Sequence, residues 1–184
     1  MSPREQLLLR KPLVLVGMMG AGKSAIGRRV ADRLGLDFAD ADTEIEAAAG
    51  CSIPDIFELH GEEGFREGER RVILRLLEGP VRVVATGGGA FMNRETRAAI
   101  KERAISVWLR ADFETLWRRV SRRGNRPMLK TDNPRETLRA LIEERSPVYG
   151  EADLAVDSTD GPRSATVDRV IAALETYCQD NHST

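Results

Sequence analysis

Two kinds of hydrophobic run alternate along this chain. Residues 13–16 (Leu-Val-Leu-Val), 81–85, 105–109 and 154–156 are short and almost continuously apolar, the pattern of strands buried on both faces. A fifth, weaker strand is predicted around Phe38. Between them the apolar positions recur at helical spacing. The pattern predicts helices over 23–34 (Ile26, Val30, Ala31 and Leu34 inward), 94–102, 112–122, 134–148 (Leu138, Leu141 and Ile142 inward) and 164–176. After an acidic helix start at Thr43, a short helix over 52–59 breaks at His60-Gly61 and a longer one follows over 62–77, carrying Phe65, Val72, Ile73, Leu76 and Leu77. Gly35 and Gly79-Pro80 are stop signals, and residues 179–184 read as a frayed tail. Strands alternating with helices predict an α/β fold with a parallel sheet covered on both faces. Ligands in such folds bind at the strands' carboxyl ends.

The first strand runs straight into Gly17-Met18-Met19-Gly20-Ala21-Gly22-Lys23-Ser24, and a helix follows at once. Glycine, four residues, then Gly-Lys-Ser is the spacing of a phosphate-binding loop. The glycines let successive backbone N–H groups turn toward one point, and the helix start adds its unpaired amides and the positive end of its dipole. Lys23 is placed to reach the β- and γ-phosphates and the Ser24 hydroxyl to ligate Mg²⁺. The same residues satisfy a looser dinucleotide fingerprint, with Asp40 or Asp42 at a suitable distance for a ribose. That alternative has no need of Gly17 or of the Lys23-Ser24 pair, nor has a purely structural turn.

Other chemistry-bearing stretches are weaker alone. Asp40 and Asp42, read as alternate residues of an extended segment, would share one face. They are either a helix-capping device or a site for Mg²⁺ and a hydroxyl, and the neighbouring phosphate loop favours the second. Arg66 and Glu69, three apart on a helix, can pair along its face, which by itself is a surface ion pair. The strand over 81–85 ends in Thr86-Gly87-Gly88-Gly89 rather than in the Asp of a Walker B strand. Three glycines there are either a flexible turn or a place where a ligand lies against bare backbone. Residues 122–134 break all periodicity and are rich in Arg, as a solvated loop or a lid over phosphates would be.

Composition narrows the class. The chain has 184 residues with 41% hydrophobic and 31% charged, an ordinary globular balance for one domain spanning 1–184. A net charge of −1 argues against a dedicated nucleic-acid or membrane-surface binder, although 24 of the 28 basic residues are arginine, whose planar fork suits phosphate and carboxylate. Cys51 and Cys178 fall outside any CxxC pattern, and neither a membrane-length apolar run nor a signal-peptide core is visible. Together these lead us to expect a cytoplasmic protein. Nothing demands more than a monomer.

These pieces, in this order, resemble the shikimate kinase family over nearly the whole chain. The matching stretches are Gly17 to Ser24, Asp40-Ala41-Asp42, Gly61-Glu62-Glu63-Gly64-Phe65-Arg66 with Glu69, Thr86-Gly87-Gly88-Gly89, Arg126-Pro127-Met128-Leu129, and Glu144-Arg145-Ser146-Pro147-Val148-Tyr149. The resemblance implies a three-layer P-loop kinase fold of the nucleoside-monophosphate-kinase-like type. Its five-stranded parallel sheet would have the order 2-3-1-4-5, with a substrate-binding region over about 40–78 and a lid over about 122–134. The implied activity is transfer of the γ-phosphate of ATP to the 3-hydroxyl of shikimate, giving ADP and shikimate 3-phosphate, a step toward chorismate and the aromatic amino acids.

The resemblance also implies roles for individual residues. Lys23, Asp42 and Arg126 would be catalytic, with Asp42 holding substrate hydroxyls and accepting a proton. Gly20, Ala21, Gly22, Lys23, Ser24 and Ala25, with Arg119, Arg126 and Arg163, would bind ATP. Asp42, Arg66, Gly87, Gly88, Gly89 and Arg145 would bind shikimate, the two arginines clamping its carboxylate. Ser24 and Asp40 would hold Mg²⁺. Met18, Met19 and Ala41 read as harmless variable positions, and Gly150-Glu151 as a departure near the clamp. A kinase for another polyol acid such as gluconate would share the loop and the lid, though not the combination of Asp42, Arg66, Gly88 and Arg145. A non-catalytic sensor could dispense with Lys23, Ser24 or Arg126, and a dinucleotide enzyme would be indifferent to Mg²⁺.

Overall fold

In the computed structural model, which describes residues 9–123 and 127–182, five strands form one parallel sheet: β1 (Leu13–Val16), β2 (Asp37–Asp40), β3 (Arg82–Ala85), β4 (Ile105–Arg110) and β5 (Leu154–Asp157). Their order is β2-β3-β1-β4-β5. β1 is flanked by β3, with Leu13 opposite Val83, and by β4, with Leu13 opposite Ile105. All four of its side chains are fully buried, which accounts for the unbroken apolar run. The chain leaves β1 at the point where the sheet order reverses, where open α/β sheets bind ligands.

Among the described residues, seven α-helices connect and cover the strands: α1 (Lys23–Leu34), α2 (Ala41–Ala49), α3 (Ile53–Glu78), α4 (Arg94–Arg103), α5 (Phe113–Ser121), α6 (Pro134–Tyr149) and α7 (Arg163–His182). α1 packs against α7 and α3 against α4, and one cluster of apolar side chains joins the sheet to every helix. Gly35 ends α1 in the left-handed region, its N–H donating to Ala31. The break expected at His60-Gly61 is real: Gly61 has φ +71° and ψ −176° inside the α3 span, kinking it.

Two expectations fail. Residues 179–182 are not frayed, because α7 continues through them to His182. Asp40 and Asp42 do not share the face of an extended segment, because the strand ends at Asp40 and Asp42 lies in the first turn of α2. The cause is local: the Asp40 carboxylate accepts from the N–H groups of Asp42 (3.0 Å) and Thr43 (3.3 Å), which ends the strand and starts the helix in one step.

The core makes a direct prediction. Ile73, fully buried on α3, packs within the apolar cluster. Ile73→Ala should cost about 2–5 kcal/mol of stability, read as a lower urea midpoint at unchanged slope.

Candidate active site

The site begins with backbone. Gly17, Gly20 and Gly22 follow β1 with φ of +144°, +83° and +95°. A Cβ on Gly17 would stand 2.7 Å from the Leu109 carbonyl oxygen, and one on Gly20 would stand 2.9 Å from Val120 Cγ1. Conformation and space therefore both require glycine at these two positions. Gly22 caps α1 and no side chain satisfies the first-turn amides, which face the mouth of the loop. Lys23 is buried, its Nζ donating to the carbonyls of Gly17 (2.6 Å) and Met18 (2.8 Å). Its charge is thus held inside the loop.

Arg119 of α5 ties the loop to its surroundings. Its guanidinium donates to the carbonyls of Gly20 (3.0 Å), Ala21 (3.3 Å) and Thr159 (2.9 Å), and to the Ser158 hydroxyl (3.2 Å). Burial pulls its pKa below the usual guanidinium value, with Asp160 opposing that shift. Ala21 is fully buried and contributes backbone rather than a wall. In front of the loop lies a pocket of about 640 Å³ lined by Gly20, Gly22, Lys23, Ser24, Ala25, Arg119 and Arg163. Arg118 and Asp160, which the sequence did not single out, line it too, as do Arg122 and Arg123 from the start of the Arg-rich stretch expected as a lid. Arg118 precedes Arg119 on α5, and Arg122 and Arg123 follow the end of that helix three and four residues after Arg119, so helical spacing was the available signal.

Ser24 and Asp40 meet at the mouth of this pocket. The Ser24 hydroxyl donates to Asp40 Oδ2 while Oδ1 caps α2. One carboxylate therefore serves both readings offered by the sequence. Among the described residues, no group of three or more His, Cys, Asp or Glu side chains could hold a metal by itself. Two hard oxygen donors beside a phosphate loop suit Mg²⁺, which keeps waters and takes its other ligands from phosphates.

A second pocket of about 260 Å³ lies alongside, lined by Asp42, Arg66, Gly87, Gly88, Gly89 and Arg145. Arg66 comes from α3 and Arg145 from α6, on opposite sides of the glycine run. A Cβ on Gly89 would stand 2.6 Å from Arg66 Cζ, and one on Gly88 would stand 3.3 Å from an Arg145 Nη. Side chains at these glycines would displace the two guanidinium groups. Apolar walls come from Ile53, Pro54, Phe57 and Phe65, with Met128 from the stretch expected as a lid. Met19, a variable position by the sequence reading, lines both pockets. Asp42, Gly87 and Gly88 also line both. Arg126 lies outside the described residues.

Glu69 corrects the sequence reading most sharply. The Arg66–Glu69 pair is not a surface ion pair, since Glu69 is 2% exposed and its Oε1 accepts from Arg66 at 2.8 Å. Among the described residues, Glu69 Oε2 is the one buried side-chain oxygen or nitrogen without a hydrogen-bond partner. Burial raises its pKa, and the Arg66 charge opposes that shift. The signal was present in the sequence. Glu69 stands at helical spacing before Val72, Ile73 and Leu76, on the apolar face of α3.

A parallel sheet with a phosphate loop at its switch point, opening beside a small pocket walled by two arginines and a carboxylate, defines a P-loop kinase of small acidic molecules. Comparison with known proteins agrees: the family model described as shikimate kinase matches residues 19–175. The chain belongs to the shikimate kinase family. It is 59% identical over 180 residues to the shikimate kinase of Rhodopseudomonas palustris, covering 96% of this chain and 89% of that one. Its fold matches a solved shikimate kinase from Acinetobacter baumannii in complex with shikimate. That match has a TM-score of 0.88 at 38% identity, over 91% of this chain and 94% of the other. A gluconokinase from Sinorhizobium meliloti aligns over 94% of this chain and 95% of its own with a TM-score of 0.66, but at 20% identity it shares the fold alone.

The raised pKa of Glu69 has a testable sign. The folded protein holds this proton to higher pH than the unfolded chain, so the contribution of Glu69 to stability falls as pH rises from the ordinary carboxylate range through the raised value. Glu69→Gln removes that dependence. Urea denaturation at pH 4.5 and pH 7 should show wild type losing stability relative to Glu69→Gln at the higher pH.

Proposed function

We propose that this kinase transfers the γ-phosphate of ATP to the 3-hydroxyl of shikimate in an Mg²⁺-dependent reaction, as a cytoplasmic monomer and a single domain. The observation that carries the reading is that Asp42, Gly87 and Gly88 line both pockets, so an acceptor hydroxyl beside Asp42 faces the end of a triphosphate in the loop. Among the described residues no helix is long and apolar enough to cross a membrane, which is compatible with the proposed location.

In this scheme the loop amides, Lys23 and Ser24 bind the phosphates, with Gly20, Gly22 and Ala25 shaping the cradle. Arg119 and Arg163 border the nucleotide, and Arg126 is assigned a catalytic role toward the transferring phosphate. Arg66 and Arg145 each present two N–H groups to the substrate carboxylate. Gly88 meets a ring hydroxyl, and Gly87 and Gly89 complete the wall. The substrate oxygen attacks the γ-phosphorus as the bond to the β–γ bridging oxygen breaks, and Asp42 accepts the hydroxyl proton. The transition state is loose, with charge on the equatorial oxygens, so positioning and cations dominate the rate. Proton removal by Asp42 contributes about 10²–10⁴-fold. Ser24 and Asp40 would hold Mg²⁺, which when bound neutralises charge on the β- and γ-oxygens.

The test is a coupled ADP-release assay with ATP and Mg²⁺, run with shikimate, gluconate or no acceptor. Release that depends on shikimate and stops on chelation with EDTA is expected. Release with gluconate alone would discard the acceptor assignment, and release unaffected by chelation would discard the metal. Lys23→Ala should lower turnover by about 10²–10³-fold while shikimate binding, measured by calorimetry, is retained. Arg145→Ala should weaken shikimate binding by about 10²-fold, since it leaves the substrate charge desolvated and half-clamped. Unchanged affinity would remove Arg145 from the clamp.

A further inference from the structure

The glycine run over 87–89 has no side chains with which to hold itself, yet it forms a wall of the acceptor pocket. Two of its carbonyls are fixed locally: Gly87 O accepts from Ala90 N (3.3 Å) and Gly89 O from Met92 N (3.1 Å). The third is held from another element. The Tyr149 hydroxyl, at the end of α6, donates to Gly88 O. Because the peptide is trans, a fixed Gly88 carbonyl also fixes the Gly89 N–H in the opposite direction.

Tyr149 is itself immobilised. It is fully buried, its ring stacks on Trp108 with centroids 5.9 Å apart, and Met18 Sδ of the phosphate loop lies 3.9 Å from the hydroxyl. Burial pushes its pKa up to about 12, so it remains a protonated donor at working pH. Arg145 lies four residues earlier, one turn away on the same buried face of α6. A second tie reinforces the first. Arg97 donates to the carbonyls of Phe91 (2.8 Å) and Met92 (3.2 Å), and pairs with Glu151 just beyond α6 at 3.4 Å.

We propose that Tyr149 is a positioning residue of the acceptor pocket: its hydroxyl fixes the Gly88 peptide and keeps the glycine wall in register with Arg145. The inference rests on the acceptor reading above. Its effect should fall on the acceptor and not on the nucleotide, although Tyr149 touches neither.

Tyr149→Phe keeps the ring and its stacking and removes the hydroxyl, both as donor to Gly88 O and as hydrogen-bond partner of the Arg145 side chain. With wild type first shown to release ADP in response to shikimate, the variant should raise the KM for shikimate by about 3- to 10-fold, with the KM for ATP within twofold. Trp108→Phe, which disturbs the stacking but leaves the hydroxyl, should lower the melting temperature and leave the KM for shikimate unchanged. An unchanged KM for shikimate in Tyr149→Phe, or equal rises for both substrates, would overturn the proposal. A wild type inactive with shikimate would instead overturn the acceptor reading. A measurement on wild type guards against a variant that does not fold: the Tyr149 hydroxyl proton, followed by NMR, should shift when shikimate is added. An unmoved resonance at saturating shikimate would also overturn the proposal.

Discussion

The complete burial of β1 is the constraint on which the site depends. A strand flanked on both edges and covered on both faces leaves its chain one exit, at the carboxyl end of the sheet, where the order of strands reverses. The next residues must turn back under α5 and start α1 within a few positions. Glycines at positive φ allow this, and the turn leaves several backbone amides aimed at one point. The affinity for phosphate is thus a consequence of how the central strand ends. Arg119 then ties that turn to α5 and to the loop after β5.

Charges near the loop are placed with differing degrees of solvation, and this sets what each can do. Most ion pairs on the surface, such as Arg33–Asp168, are exposed and worth little. The Arg66–Glu69 pair is different because the carboxylate has left water. Its unpaired oxygen and the Asp42 carboxylate both stand 3.0 Å from where a Gly87 Cβ would be. Two carboxylates and two guanidinium groups are thus gathered around three residues that have no side chains. Such a cluster is costly to bury unless each charge has a partner or a ligand supplies one, and the proposed carboxylate substrate would supply one to the arginines.

Distant parts of the chain meet at the glycine wall. α3 supplies Arg66 and Glu69, and α6 supplies Arg145 and Tyr149. The wall itself is the exit of β3, just as the phosphate loop is the exit of β1. Parallel pairing of β1 with β3 puts those two exits side by side, so the two pockets share Asp42, Gly87 and Gly88. The shared boundary follows from strand order, which local sequence does not encode.

Much of this was legible in the residues. The loop from Gly17 to Ser24 announces itself because its chemistry is local: backbone hand, helix start and lysine are consecutive. The strands and most helices are legible because burial on two faces or one imposes a period. The order of the sheet, the carboxylate clamp and the roles of residues far apart came from a family resemblance, since no spacing in one chain reveals them. Asp42 was misread as extended because the capping bond of Asp40 overrides the strand pattern. Glu69 was misread as exposed because an i,i+3 ion pair has the same sequence signature in water and in a core. The sequence by itself determined the elements and the phosphate loop, whose interactions run between near neighbours. Only the tertiary structure decided that Glu69 is buried and that Tyr149 holds Gly88, because burial and a contact spanning 61 residues exist only once the chain has packed.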